Sequence, residues 1–215
     1  MIESGLLRTA CLHWQARVAE GGVTPWRHDP APAWHLGRPW FAVWALVPRE
    51  PAVAAHLACL QTGLAPWLAP QYRRQAHITL AVAGFPVRCA QQADELSWAQ
   101  LRQQMQLLKR LNNEPVVCRT SYLSSFAHAP FLAVEVPELV NQWRTLLGAE
   151  HREAAHQFRF TPHLTLGVYR YRLALPALER RLKALDHLAP LSFSADLALL
   201  GYRPAQFCGP LTRLG

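Results

Sequence analysis

Apolar positions recur along this chain with two periods, and the switches between them lay out its elements. Trp40–Val47 is an apolar run of strand length closed by Pro48. The segment from about Pro51 to Gln61 predicts a helix, with proline in the first turn where its missing N–H costs little. A loop holding Pro66 and Pro70 leads to a strand over about Ala76–Ala83, which Gly84 and Pro86 are expected to end. Between Asp94 and Leu111, the residues Leu96, Leu101, Leu107, Leu108 and Leu111 mark the apolar face of a helix. Val116–Leu123 reads as a strand. The order then restarts, with a strand at Phe131–Val136 and a helix from Pro137 to Leu147. A loop carrying His151 and His156 precedes a strand at about Pro162–Tyr169 and a helix at about Pro176–Leu185. A strand at Leu191–Leu200 and a short one within Pro210–Arg213 finish the chain.

Both halves therefore read strand, helix, strand, helix, strand, and their first strands begin 91 positions apart. A repeat of this kind implies a pseudo-twofold axis, with equivalent strands facing each other across a central cleft. The expected fold is α+β: two pseudo-symmetric lobes of antiparallel sheet with outer helices, over roughly 40–125 and 126–215. Residues 1–39 stand apart from this plan. Ser4–Glu20 predicts a helix with Leu6, Leu7, Cys11 and Trp14 on one face, stopped by Gly21 and Gly22. An irregular arm rich in Trp, Pro and His follows. Its tryptophans are expected to pack on the body, with a lid over the cleft as the alternative.

Composition narrows the setting. Hydrophobic residues make up 51% of the chain, enough for a sizeable core, yet no apolar run approaches the roughly 20 residues that span a bilayer. No basic segment followed by an apolar one opens the sequence, so no secretory leader and no membrane partner are expected. The five cysteines are widely spaced and none forms a CxxC pair, which predicts reduced, mostly buried thiols in a cytoplasmic protein. A monomer is favoured. The net charge of +8 favours a polyanionic partner, RNA being the obvious one. The basic residues are dispersed. Arg180, Arg181 and Lys183 sit on a predicted helix, where a solvated face explains them as well as RNA does.

The chemistry concentrates in the two equivalent strands: His77-Ile78-Thr79-Leu80 and His163-Leu164-Thr165-Leu166. Side chains alternate along a strand, so each His shares a face with its Thr while the aliphatic residues face the other way. The chain holds 10 His, and its composition gives about 0.4 His-x-Thr by chance. Two such motifs, each followed by Leu and each in a strand, exceed that expectation. Two core strands with hydrogen-bonded His and Thr are the plainer alternative.

The surrounding residues carry a resemblance. The run from His77 to Gly84, HITLAVAG, is similar to the His-Leu-Thr-Leu-x-Phe-Leu-Gly pattern of the 2H phosphoesterase superfamily. The run from Phe160 to Leu166, FTPHLTL, is similar to its Phe-x-Pro-His-Ile-Thr-Leu pattern. The closer likeness is to the bacterial branch of RNA 2′,3′-cyclic phosphodiesterases, also called 2′-5′ RNA ligases, and it runs from about Trp40 to the C-terminus. Departures fall at Val82 and Ala83, and at Val168, where the family often places Arg; the nearest Arg here is Arg170.

The resemblance implies a phosphodiesterase acting on 2′,3′-cyclic phosphate ends of RNA, with protonation of O3′ and with reversible 2′-5′ joining. One of His77 and His163 serves as base toward water and the other as acid toward the leaving ribose oxygen, a division suited to imidazole near neutral pH. Thr79 and Thr165 can donate to the non-bridging oxygens. Phe126 matches a family position from which an aromatic ring can stack on a base, and Tyr122 lies nearby in sequence. Arg74 and Arg170 are candidate phosphate contacts. No cofactor or metal is required; His151 and His156 are candidate third ligands for zinc only by their nearness in sequence. Two other readings stay open. One is the same chemistry on a small cyclic nucleotide or a 2′-5′ oligonucleotide. The other is a non-catalytic nucleotide- or RNA-binding module.

Overall fold

The computed structural model describes residues 22–25, 35–149 and 160–214. The expected helix over Ser4–Glu20, most of the Trp-rich arm, and His151 and His156 lie outside them. The first half contributes β1 (Phe41–Pro48), α1 (Pro51–Leu64), β2 (Ile78–Val87), β3 (Glu95–Ser97), α2 (Trp98–Leu111) and β4 (Val116–Ser125). The second contributes β5 (Pro130–Glu135), α3 (Leu139–Leu146), β6 (His163–Thr165), α4 (Leu175–Leu185), β7 (Ser192–Tyr202) and β8 (Thr212–Arg213). The fold is α+β. Among the described residues the strand order is β3-β2-β1-β7-β4-β5-β6, with β8 on β7, and only β2 and β3 pair in parallel.

Alternation along the strands gives the sheet two different faces. Ala42, Trp44 and Leu46 of β1 join the main core with Val53, Leu57, Leu60 and Leu64 of α1, whose spacing of three and four residues makes one helix stripe. The helix-side core also takes in Leu101 and Leu108 of α2, Val140 and Trp143 of α3, and Leu178 and Leu182 of α4. Val43 and Ala45 point the other way, into a smaller cluster with Ala198, Leu200, Tyr202 and Leu211, packed against Phe207. One face thus carries the helices. The opposite face of β1 and β7 is closed by the C-terminal segment.

Strand pairing interleaves the two halves of the sequence. β7 pairs with the whole length of β1, from Phe41↔Tyr202 to Pro48↔Ala195. β4 pairs with β5, from Arg119↔Glu135 to Ser125↔Pro130. The two three-strand groups, β2-β1-β7 and β4-β5-β6, meet where Val116–Arg119 pairs with Ala195–Ser192. Each group has taken one strand from the other half of the chain.

Several boundaries differ from the sequence expectation, each for a local reason. β2 runs on through Gly84 and Pro86. Gly84 has φ +86, and a Cβ there would lie 2.2 Å from the Asp94 carbonyl oxygen, so the chain bends at a residue without one. Beyond the bend β2 exchanges β1 for β3, with Pro86 opposite Leu96 on the short edge pairing. α2 starts only at Trp98, because Glu95–Ser97 is extended against β2 and Ser97 caps the helix in a reciprocal box with Gln100. Leu107 and Leu111 are exposed, the buried stripe being Leu101 and Leu108. β6 ends at Thr165 because its partner β5 begins at Pro130; Leu166 N–H still donates to the Pro130 carbonyl. The chain then crosses to the first half, where Ala69 N–H donates to the Val168 carbonyl and Arg170 N–H to the Trp67 carbonyl. Cys59 and Cys89 are exposed rather than buried, and all four described cysteines are free thiols. No helix among the described residues is long and apolar enough to cross a membrane.

Candidate active site

Register places the two motifs. Ile78 lies opposite Leu46 and Thr79 opposite Ala45. Paired residues share a face, so Ile78 enters the helix-side core while Thr79, and His77 two residues before it, face the other side. In the second motif Leu164 lies opposite Leu132, Thr165 opposite Phe131 and His163 opposite Ala133. Leu132 and Leu164 are again in the helix-side core. Both His/Thr pairs therefore lie on the face away from the helices.

Reciprocal bonds tie the motif strands to opposite halves. The Leu80 carbonyl, three residues after His77, accepts from Nη1 of Arg144 on α3. The Leu166 carbonyl, three residues after His163, accepts from Nε2 of Gln61 on α1 at 2.9 Å. Arg144 is buried, with its guanidinium 3.4 Å from the centre of the Phe160 ring that precedes the second motif. Each motif strand thus has its carbonyl at the same position satisfied by a helix from the other half, as a pseudo-twofold relation requires.

The imidazoles are held alike. Nδ1 of His77 donates to the Gln75 carbonyl at 2.8 Å, and Nδ1 of His163 to the Thr161 carbonyl at 2.7 Å. A carbonyl only accepts, so each Nδ1 carries the proton and each Nε2 keeps its lone pair for chemistry. Burial pushes His77 down to about 4; the Gln75 carbonyl opposes the shift, while the charges of Arg74 and His163 add to it. The two rings thus come from strands that lie near each other, β2 and β6, and the charge of His163 is felt at His77. Burial also lowers His163, against the pull of the Thr161 carbonyl.

The family model of the 2′-5′ RNA ligase superfamily matches residues 49–203. This chain belongs to that superfamily, among the 2H phosphoesterases. Solved structures similar to it include E. coli LigT complexed with 3′-AMP, at 17% identity and TM-score 0.48 over 82% of this chain and 96% of that one. TT0787 of Thermus thermophilus aligns at 17% identity and TM-score 0.46, over 81% and 95% of the two chains. Kluyveromyces marxianus Usb1 with uridine monophosphate aligns at 12% identity and TM-score 0.40, over 82% and 98%. No curated protein matches the chain.

Around the two His/Thr pairs the structure sorts the remaining candidates. Phe126, in the turn between β4 and β5, stacks on Phe131 at 4.2 Å and meets the His163 ring edge-on at 4.8 Å. Tyr122 is half-buried on β4, and burial raises its phenol. Arg170 donates Nε to the Pro66 carbonyl at 3.0 Å, and its guanidinium lies over Tyr171. Arg74 lies close enough to His77 to depress its basicity, and sits 4.3 Å from the ring centre of Tyr202 and 4.1 Å from that of Phe207. No three His, Cys, Asp or Glu side chains among the described residues gather as a metal site.

Two site residues escaped the sequence reading. Tyr72 hydrogen-bonds Thr165 from the first half, and burial pushes its phenol up to about 12. Gln75 supplies the carbonyl that fixes His77, while its own amide exchanges two bonds with the Leu211 backbone, at 2.8 and 2.9 Å. Neither residue belongs to a periodic run, and the side-chain partners of both lie in the other half of the chain. No local pattern marks them.

Proposed function

We propose that this protein is a metal-independent phosphodiesterase that opens 2′,3′-cyclic phosphate ends of RNA by two-histidine acid/base catalysis. The observation that carries the reading is the matched pair of imidazoles, each with Nδ1 bound to a carbonyl and Nε2 left free. One Nε2 takes a proton from water as its oxygen attacks phosphorus. The bond from phosphorus to O3′ breaks in line with that attack, and the other imidazole, protonated, gives its proton to O3′. The product is a 2′-phosphate, and the two histidines exchange protonation states. An incoming phosphate anion raises both depressed imidazoles, which lets one of them hold the acid proton near neutral pH. Thr79 and Thr165 donate to the non-bridging oxygens, where charge collects. Phe126, edge-on to His163, is the surface for the terminal base, and the net charge of +8 favours an RNA chain beyond it.

The test is hydrolysis, in EDTA, of an RNA ending in a 2′,3′-cyclic phosphate by the wild type, His77→Ala and His163→Ala. Each variant is expected to lose about 10²- to 10⁴-fold in kcat, the usual worth of a positioned acid or base. Activity retained in either one removes that histidine from the mechanism. A preference for cyclic mononucleotides over RNA would move the substrate to the small-nucleotide class. Binding without turnover would leave a binding module.

A further inference from the structure

The least explained charge near the site is that of Arg74. It lies three residues before His77 in the segment that leads into β2, and its environment is built rather than loose. Nε donates to the Phe207 carbonyl at 2.9 Å. The rings of Tyr202 and Phe207 flank the guanidinium. The neighbouring residues are stitched to the same C-terminal loop: Arg73 N–H donates to the Cys208 carbonyl at 2.7 Å, and the Gln75 amide is bonded to Leu211. Three consecutive residues are thus fixed by the loop between β7 and β8. Yet Nη2 of Arg74 is buried with no hydrogen-bond partner, and no carboxylate among the described residues pairs with this arginine. A buried donor on a cation is costly to leave unused. The aromatic faces, the Phe207 carbonyl and the Tyr202 phenol satisfy part of the guanidinium and leave its charge without a carboxylate.

We infer that Arg74 is the phosphate grip of this site, aimed by the 203–211 loop, and that it binds the non-bridging oxygens beside His77. The fork of a guanidinium suits two oxygens of one phosphoryl group. Arg170, the other candidate cation, also donates Nε to a carbonyl, that of Pro66, but at an exposed position and without a buried, unpartnered donor. Tyr72 completes the arrangement from the same segment, holding the Thr165 hydroxyl that would meet the phosphate from the opposite half. The chemistry recognised is a phosphate mono- or diester oxyanion. The C-terminal loop thereby becomes part of the binding apparatus without itself touching the ligand.

The inference rests on the phosphodiesterase reading, and binding separates the two. The probe is inorganic phosphate, followed by calorimetry and by the NMR titration of His77 in the full chain. Arg74→Gln is expected to weaken phosphate binding about 10- to 100-fold, the worth of a charge-assisted contact, and to raise the titration midpoint of His77 as a neighbouring cation is lost. Arg73→Gln, which removes an exposed charge one residue away, is expected to change neither. Phosphate affinity unchanged in Arg74→Gln overturns the inference, even if the His77 midpoint moves. Should Arg74→Gln not fold, Arg74→Lys keeps the charge without the fork and is expected to lose about 10-fold in phosphate affinity; full affinity there overturns it too. Arg74-dependent phosphate binding in a protein that hydrolyses no cyclic phosphate would sink the phosphodiesterase reading and leave the grip standing.

Discussion

His77 sits in a place that disfavours its charged form. Unfolded, an imidazole titrates near 6.5; in the fold His77 is only 8% exposed and is pushed down to about 4. Between those values the unfolded chain binds a proton that the folded chain refuses. This residue's contribution to stability is therefore fully present above about pH 6.5 and is lost as pH falls through about 4, for a total of about 3 kcal/mol. Urea denaturation of wild type and His77→Asn across this range checks the expectation: the variant should lose less stability on acidification. Equal slopes would mean that His77 titrates in the fold as it does in the unfolded chain. At the same scale, Thr165→Val removes the hydroxyl that Tyr72 holds. It should lower kcat by about 10- to 100-fold with a smaller change in KM, because the bond strengthens as charge builds in the transition state. A change confined to KM would place Thr165 in ground-state binding.

The motif strands owe their position to side chains from distant helices. Replacing Gln61 by Leu leaves the Leu166 carbonyl, within a buried stretch, without its donor. The expected loss is about 1–3 kcal/mol, a fall in Tm of about 2–4 °C for each kcal/mol in a chain of this size. A melting temperature equal to wild type would show that the bond is replaced by water. Element by element, what the sequence made readable was whatever depends on period. The His/Thr faces of β2 and β6 followed from alternation, and α1 from its stripe and its first-turn proline. Where β2 and β6 stop was hidden, because each end is set by where its partner strand runs out. The bend at Gly84 depends on Asp94, and the fixing of Arg74 and Gln75 depends on residues 207–211, more than 130 positions away. Such contacts leave no trace in a local pattern.

Across the whole molecule, the exchange of β4 and β7 is the feature that makes the halves inseparable. A chain opened in the turn between β4 and β5, near His128, gives one piece with β1 and β2 but no β7, and another with β5 and β6 but no β4. Each piece alone leaves β1 or β5 with an unpaired edge. The pieces made together should assemble and recover measurable hydrolysis, whereas either made alone should be insoluble or inactive. A single piece that folds and acts unaided would contradict the interleaved pairing. The same exchange bears on descent. A protein half this length, with one His/Thr pair and a strand lent outward, would have been complete only beside a second copy that lent its strand in return. Fusing two such copies end to end would preserve every pairing, and would free each half to specialise: one for a clamped arginine, the other for an aromatic stack.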